Sequence, residues 1–144
     1  MVDFDDVVYV VDENLLRLGK GVVAVRRDSA RFGYPPIDAL LPMGILDPDW
    51  IPVVGDQGWV VITCDKRLRT RPVEATLAIE HKLKAVHLFG LGEFPAWDQL
   101  TRLTTRWDAI EQQASKAPDG PWWLSLRRGG SRVMRYEPGQ PERA

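Results

Sequence analysis

Three short stretches of the chain are predominantly apolar: residues 7–11, 59–63, which ends on Thr63, and 85–89, which carries His87 at its centre. Continuous runs of this length, rich in β-branched side chains, predict strands buried on both faces, as in a parallel sheet. The first run stops at Asp12; the second gives way through Cys64 to Asp65. Between the runs the period changes. Leu15, Leu18, Val22 and Val25 recur at helical spacing and predict a helix over about residues 14–26, although Gly19 and Gly21 weaken it. Residues 30–46 carry three prolines and two glycines and read as a long loop with one short strand or helix inside. Asp47-Pro48-Asp49-Trp50 opens a helix, with Asp47 able to cap it, and Gly55 or Gly58 closes it. Pro72 starts a helix to about Leu83. Pro95 opens the longest one, to about Ala117, and Trp97, Leu100, Leu103, Trp107, Ile110 and Ala114 make a core-facing stripe along it. Residues 122–126 and 132–136 predict two more strands around the turn Arg128-Gly129-Gly130-Ser131. The fold class expected is α/β: a single domain over residues 1–136 with a mostly parallel central sheet flanked by helices and a C-terminal antiparallel hairpin. A flexible polar tail is expected over 137–144.

Composition narrows the class without naming a function. The 144 residues, 44% hydrophobic and 27% charged, suit one folded domain with one core and exclude general disorder. No apolar run approaches the roughly 18 residues of a membrane span. The single cysteine, Cys64, cannot close an internal disulfide, and residues 1–6 are acidic where a secretory signal is basic, so the expected compartment is the cytoplasm. The net charge of −1 conceals a split. Residues 1–64 hold five basic and ten acidic side chains, a balance of −5; residues 65–144 hold fourteen and ten, a balance of +4. An acidic pocket beside a basic surface is what a metal-dependent enzyme acting on a polyanion needs. Solvated surface and chance explain the same counts.

In an open parallel sheet, ligands bind beyond the carboxyl ends of the strands. If the first two strands are neighbours, Asp12 and Asp65 emerge at one edge, and Asp49 or Asp47 supplies a third carboxylate from the helix leading into the second strand. Two charges about 4 Å apart cost on the order of 4 kcal/mol at an effective dielectric near 20. Converging carboxylates therefore hold a proton or a divalent cation, and oxygen-only donors favour Mg²⁺ or Mn²⁺. With arginines nearby this is apparatus for phosphodiester hydrolysis. The same aspartates read equally as separate helix caps. Lys66, Arg67, Arg69 and Arg71 follow Asp65 directly. They suit RNA phosphates, a solvated loop, or pairing with Asp47 or Glu74. The arginines at 127, 128 and 132 can extend the track.

Three segments carry a resemblance: Val10-Val11-Asp12-Glu13-Asn14-Leu15, Asp47-Pro48-Asp49-Trp50-Ile51, and Val61-Ile62-Thr63-Cys64-Asp65-Lys66. Together, and in this order, they resemble the PIN-like nuclease superfamily, in particular the branch of toxin-like ribonucleases of the VapC type. The resemblance implies a divalent-metal-dependent endoribonuclease, often the toxin of a toxin–antitoxin pair, cleaving by a metal-activated water. It matches Asp12 to the first-strand acid, Asp65 to the later acid, and Asp49, with Asp47 as fallback, to the middle acid. It gives Thr63 an orienting role, Asn14 a supporting role beside the first acid, and Glu74 a loose match to the fourth acid. The partners implied are RNA, an antitoxin protein and a second copy of the chain, with no membrane. Two rivals remain. The opening Tyr9-Val10-Val11-Asp12-Glu13-Asn14 also resembles a bacterial receiver domain, with Asp49 as phosphoacceptor, but no Lys-Pro follows a late strand. A PIN-like module that binds RNA or a partner without turnover is the other. Gly19-Lys20-Gly21 lacks phosphate-loop spacing. His87, inside an apolar run, reads as a core histidine, and only Trp50 or the Trp122-Trp123 pair are candidates for base stacking.

Overall fold

The computed structural model describes residues 2–140. Six strands form one sheet: β1 (Tyr9–Val11), β2 (Ser29–Arg31), β3 (Val60–Thr63), β4 (Lys84–Leu88), β5 (Trp122–Arg127) and β6 (Gly130–Met134). Their order is β2-β1-β3-β4-β5-β6, parallel throughout except for the antiparallel β5–β6 pair. The helices are α1 (Leu16–Val25), α2 (Asp47–Gln57), α3 (Pro72–Glu80), α4 (Ala96–Thr105) and α5 (Trp107–Lys116).

Helices on both faces make the central strands apolar at most positions. On one face Val10, Val61, Ala85 and Trp123 pack with Phe32, Trp50, Ile51, Val54 and Ala75; on the other, Val11, Ile62, Val86 and Leu124 pack with Leu18, Val22, Leu103 and Ile110. The alternation within each strand sends successive side chains to opposite cores. That is why the runs at 7–11, 59–63 and 85–89 are apolar but for Thr63 and His87, both of which are buried.

Elsewhere the structure refines the pattern. β2 is a three-residue edge strand starting at Ser29. Asp47 does not cap α2: Leu46 holds the cap position, and the Asp47 carboxylate accepts a hydrogen bond from Trp50 Nε1 at 2.8 Å. Gly58, at φ 74°, ends that helix in the left-handed region that glycine adopts without strain. The single long helix expected over 95–117 is two helices, broken at Arg106 (φ −104°, ψ 12°). Trp97, at the head of the expected core stripe, is 75% exposed. It sits in the first turn of α4 and lines a cleft against α1 with Arg17 and Leu18. Arg127 pairs with Gly130, so the hairpin turn is only Arg128-Gly129 and β6 begins inside the expected turn. Within the segment 137–144, Glu137 N donates to Arg69 O (2.9 Å) and Gly139 N to Thr70 O (2.8 Å); residues 141–144 lie outside the described residues. Among the described residues no helix is long and apolar enough to cross a membrane.

Candidate active site

The chain winds from β1 outward to β2, then returns past β1 to β3. The switch point therefore lies between the carboxyl ends of β1 and β3, where the diverging connections leave a crevice. Asp12 follows β1 directly, and its backbone N–H continues the ladder to Ile62 O at 3.1 Å. The register Val11↔Ile62 sets Asp12 beside Thr63. Thr63 Oγ donates to Asp12 Oδ2 (3.0 Å) and accepts from Asp65 N (3.1 Å), so one buried hydroxyl joins the first acid to the backbone of the later one. The second Asp12 oxygen accepts from Asn14 N at 3.3 Å. Asn14 thus supports the acid through its main chain, while its side chain is exposed.

Asp12 is 6% exposed. Burial pushes its pKa from 3.8 up to about 6; the bonds from Asn14 and Thr63 oppose the rise, and the negative charges of Asp47 and Asp65 add to it. Of the two candidates for the middle acid, the half-buried Asp47 is the one whose charge bears on Asp12. Two helical positions are about 200° apart, so these neighbours face opposite ways, and Asp49 is exposed. Glu74 is held by Arg71 at 3.4 Å and is not among the charges acting on Asp12. Asp65 Oδ1 accepts from both the backbone N–H and Nε of Arg67, at 3.0 and 3.1 Å. Glu13, which sequence reasoning did not single out, accepts from Gly44 N through both oxygens at 2.9 and 3.2 Å. It fastens the loop that delivers Asp47. No spacing signal announces a contact across 31 residues.

The donors at this edge are carboxylate oxygens, the ligand chemistry of Mg²⁺ or Mn²⁺. A desolvated carboxylate raised by two like charges is also the electrostatic situation a cation relieves. As the side chains stand, no three His, Cys, Asp or Glu among the described residues gather closely enough to hold an ion. The donor chemistry fits; convergence requires the carboxylates to turn inward.

The four cations after Asp65 divide. Lys66 and Arg67 are exposed and line a cavity of about 430 Å³ together with Asp65, His87, Phe89 and Glu93. Arg69 is buried and donates to Arg135 O at 2.8 Å, and Arg71 holds Glu74. His87 is buried, as the apolar run around it predicts, and it also lines this cavity. The pairings Thr63↔His87 and His87↔Ser125 continue a polar row from Asp12 across the sheet. Burial lowers its pKa to about 4; a bond to the Cys64 backbone and the Asp65 charge oppose the fall, while Arg127 and Arg69 deepen it. Burial, followed by the Asp12 charge, pushes the Cys64 thiol up to about 12, which leaves it unreactive. Trp50, Trp122 and Trp123 are all buried, which removes them as stacking platforms.

No curated protein and no solved structure matches the chain. A family described as a PIN like domain matches residues 7–90, more than half of the chain. The match runs from β1 through β4 and takes in Asp12, Asp47, Thr63 and Asp65. With the acids inside the matched span and the sheet wound as an α/β domain, the chain belongs to the PIN-like domain family.

Proposed function

We propose that the protein is a divalent-metal-dependent endoribonuclease that hydrolyses RNA phosphodiesters at the carboxyl edge of its sheet. The PIN-like domain, a nuclease-type fold, supports the general class. The observation that carries the reading is Asp12: a carboxylate 6% exposed, raised to about 6 by burial and acted on by the charges of Asp47 and Asp65. Both of its oxygens accept, Oδ2 from Thr63 and Oδ1 from the Asn14 N–H, and a buried carboxylate held this way carries a charge that a cation would neutralise.

Asp12, Asp65 and Asp47 would hold Mg²⁺ or Mn²⁺, which supplies water activation and charge neutralisation at the phosphate when bound. Thr63 keeps Asp12 oriented and ties it to the Asp65 backbone. Lys66 and Arg67, exposed cations lining the cavity, receive the phosphates, Arg67 while its Nε is held by Asp65. Arg69 and Arg71 brace the loop instead.

The test is cleavage of single-stranded and structured RNA with Mn²⁺ or Mg²⁺, comparing wild type with Asp12→Asn and Asp65→Asn. Metal-dependent cleavage that falls to background in both variants is the expected result. Absence of cleavage by wild type, with equal RNA binding by all three, would make the chain a binding module. In its fuller form the proposal makes this chain the toxin of a toxin–antitoxin pair. Growth arrest on expression of wild type, absent with Asp12→Asn, tests that step.

A further inference from the structure

A second cleft, of about 290 Å³, opens between α4 and the β5–β6 turn and is lined by Arg102, Arg106 and Arg128 together with Asp98. Two of the guanidinium groups are pinned by main-chain carbonyls. One terminal nitrogen of Arg102 donates to Phe89 O (3.0 Å) and Leu126 O (2.9 Å), and one of Arg106 donates to Arg128 O (2.8 Å). A guanidinium carries five N–H donors, so these bonds orient the forks and leave donors to spare. Arg106 Nε is buried without a partner. Among the described residues no carboxylate, Asp98 included, comes within ion-pair distance of any of the three. Burial and then the charges of Arg128 and Arg106 lower the Arg102 pKa, the mark of uncompensated like charge.

Bracing the 89–94 loop and the β5–β6 turn explains the Arg102 and Arg106 bonds. It does not explain Arg128, whose side chain is exposed and joins no bond, nor the missing acids. Three arginines around one cleft without a counter-ion match an oxyanion that accepts bidentate hydrogen bonds. Position adds to this. Leu91 and Phe94 wall this cleft, whereas Phe89 and Glu93 wall the cavity beside Asp65, so one short loop separates the two.

We propose that the Arg102–Arg106–Arg128 cleft binds a phosphate group. In bound RNA this is a backbone phosphate on the far side of the 89–94 loop from the acids. The assignment to RNA rests on the nuclease reading; the phosphate site does not.

The test uses the full chain with a chelator present, so that nothing is cleaved. Thermal melting is followed with inorganic phosphate against potassium chloride at equal ionic strength, and a labelled single-stranded oligoribonucleotide is titrated across a salt series. Arg128→Gln, exposed and safe for folding, is the main variant; Arg106→Gln is the second, and Asp65→Asn is the control. Phosphate should raise the wild-type Tm and that of Asp65→Asn, and should raise the Tm of both arginine variants less, by no more than Lys66 and Arg67 contribute. Loss of one phosphate contact should weaken RNA binding several-fold and lower the salt slope by about 0.7. A reduced phosphate response with unchanged RNA binding assigns the cleft to free phosphate or a mononucleotide. A lost RNA contact without a phosphate response assigns it to the strand alone. Wild type that melts identically in phosphate and chloride, with RNA binding equal in all variants, overturns the proposal. Failure of the nuclease reading shows up separately, as absent cleavage with the melts unaffected.

Discussion

Asp12 and His87 lie in one polar row across the sheet, separated by Thr63, and their pH dependences oppose each other. Asp12 has its pKa raised from 3.8 to about 6 in the fold. The folded state therefore holds the proton more tightly, and the stability this contributes is full below about pH 4 and lost as pH rises through 6. A shift of about two units is worth on the order of 3 kcal/mol. His87 has its pKa lowered from 6.5 to about 4, so its contribution is full above pH 6.5 and lost as pH falls through 4. Its magnitude is also about 3 kcal/mol. Over the same window the two nearly cancel. Asp12→Asn removes one arm, and the variant's stability should rise with pH by about 3 kcal/mol between pH 4 and 6.5 relative to wild type. His87→Asn removes the other, and its stability should fall by a similar amount. At pH 7.5 Asp12→Asn should exceed wild type by about 2 kcal/mol, after about 1 kcal/mol for the poorer fit of an amide against Thr63 and Asn14. Urea unfolding followed by far-UV circular dichroism, at fixed pH values with a chelator, reads these differences. Slopes carry the result, because any cavity left at position 87 shifts a curve without tilting it. Three parallel curves, or an Asp12→Asn protein weaker than wild type at pH 7.5, would refute the reasoning.

Three further outcomes follow from the packing. Thr63→Val deletes the hydroxyl between Asp12 and the Asp65 N–H and should cost about 2 kcal/mol in urea at neutral pH, with a parallel loss of RNA cleavage. A Cβ at Gly55 would overlap the His81 carbonyl, so Gly55→Ala should lose about 2 kcal/mol, and a Tm unchanged within a degree would contradict it. Trp97→Ala should change stability by no more than about 0.5 kcal/mol, whereas Leu103→Ala, at a position 1% exposed, should cost about 2–5 kcal/mol.

Burial decides which elements could be read before folding. β1, β3 and β4 announce themselves because helices cover both faces and nearly every position is apolar. β2 does not: an edge strand of Ser29, Ala30 and Arg31 has no run to display. The break at Arg106 is silent because a one-residue interruption hardly disturbs helical spacing, so Leu103 and Ile110 still reach one core. At the site, Asp12 and Asp65 were legible as strand-end acids. Asp47 against Asp49 was not, since the choice turns on Leu46 taking the cap and on Trp50 holding the Asp47 carboxylate. His87 emerges only from the register, which composition cannot express.

The span matching the PIN-like family ends at residue 90, yet the core beneath it does not close there. Trp123 and Tyr136 pack into the same cluster as Val61 and Ala85, and the buried Tyr136 hydroxyl donates to Leu83 O at 2.9 Å. A gene fragment trimmed to the recognisable motifs would keep Asp12, Asp47 and Asp65 and expose β4 as a bare edge, open to pairing with other chains. The portion of this polypeptide that carries its chemical signature and the portion that must be inherited together to fold have different boundaries. A recombination event, or an expression clone, that respects only the first would deliver the acids without the scaffold that aims them.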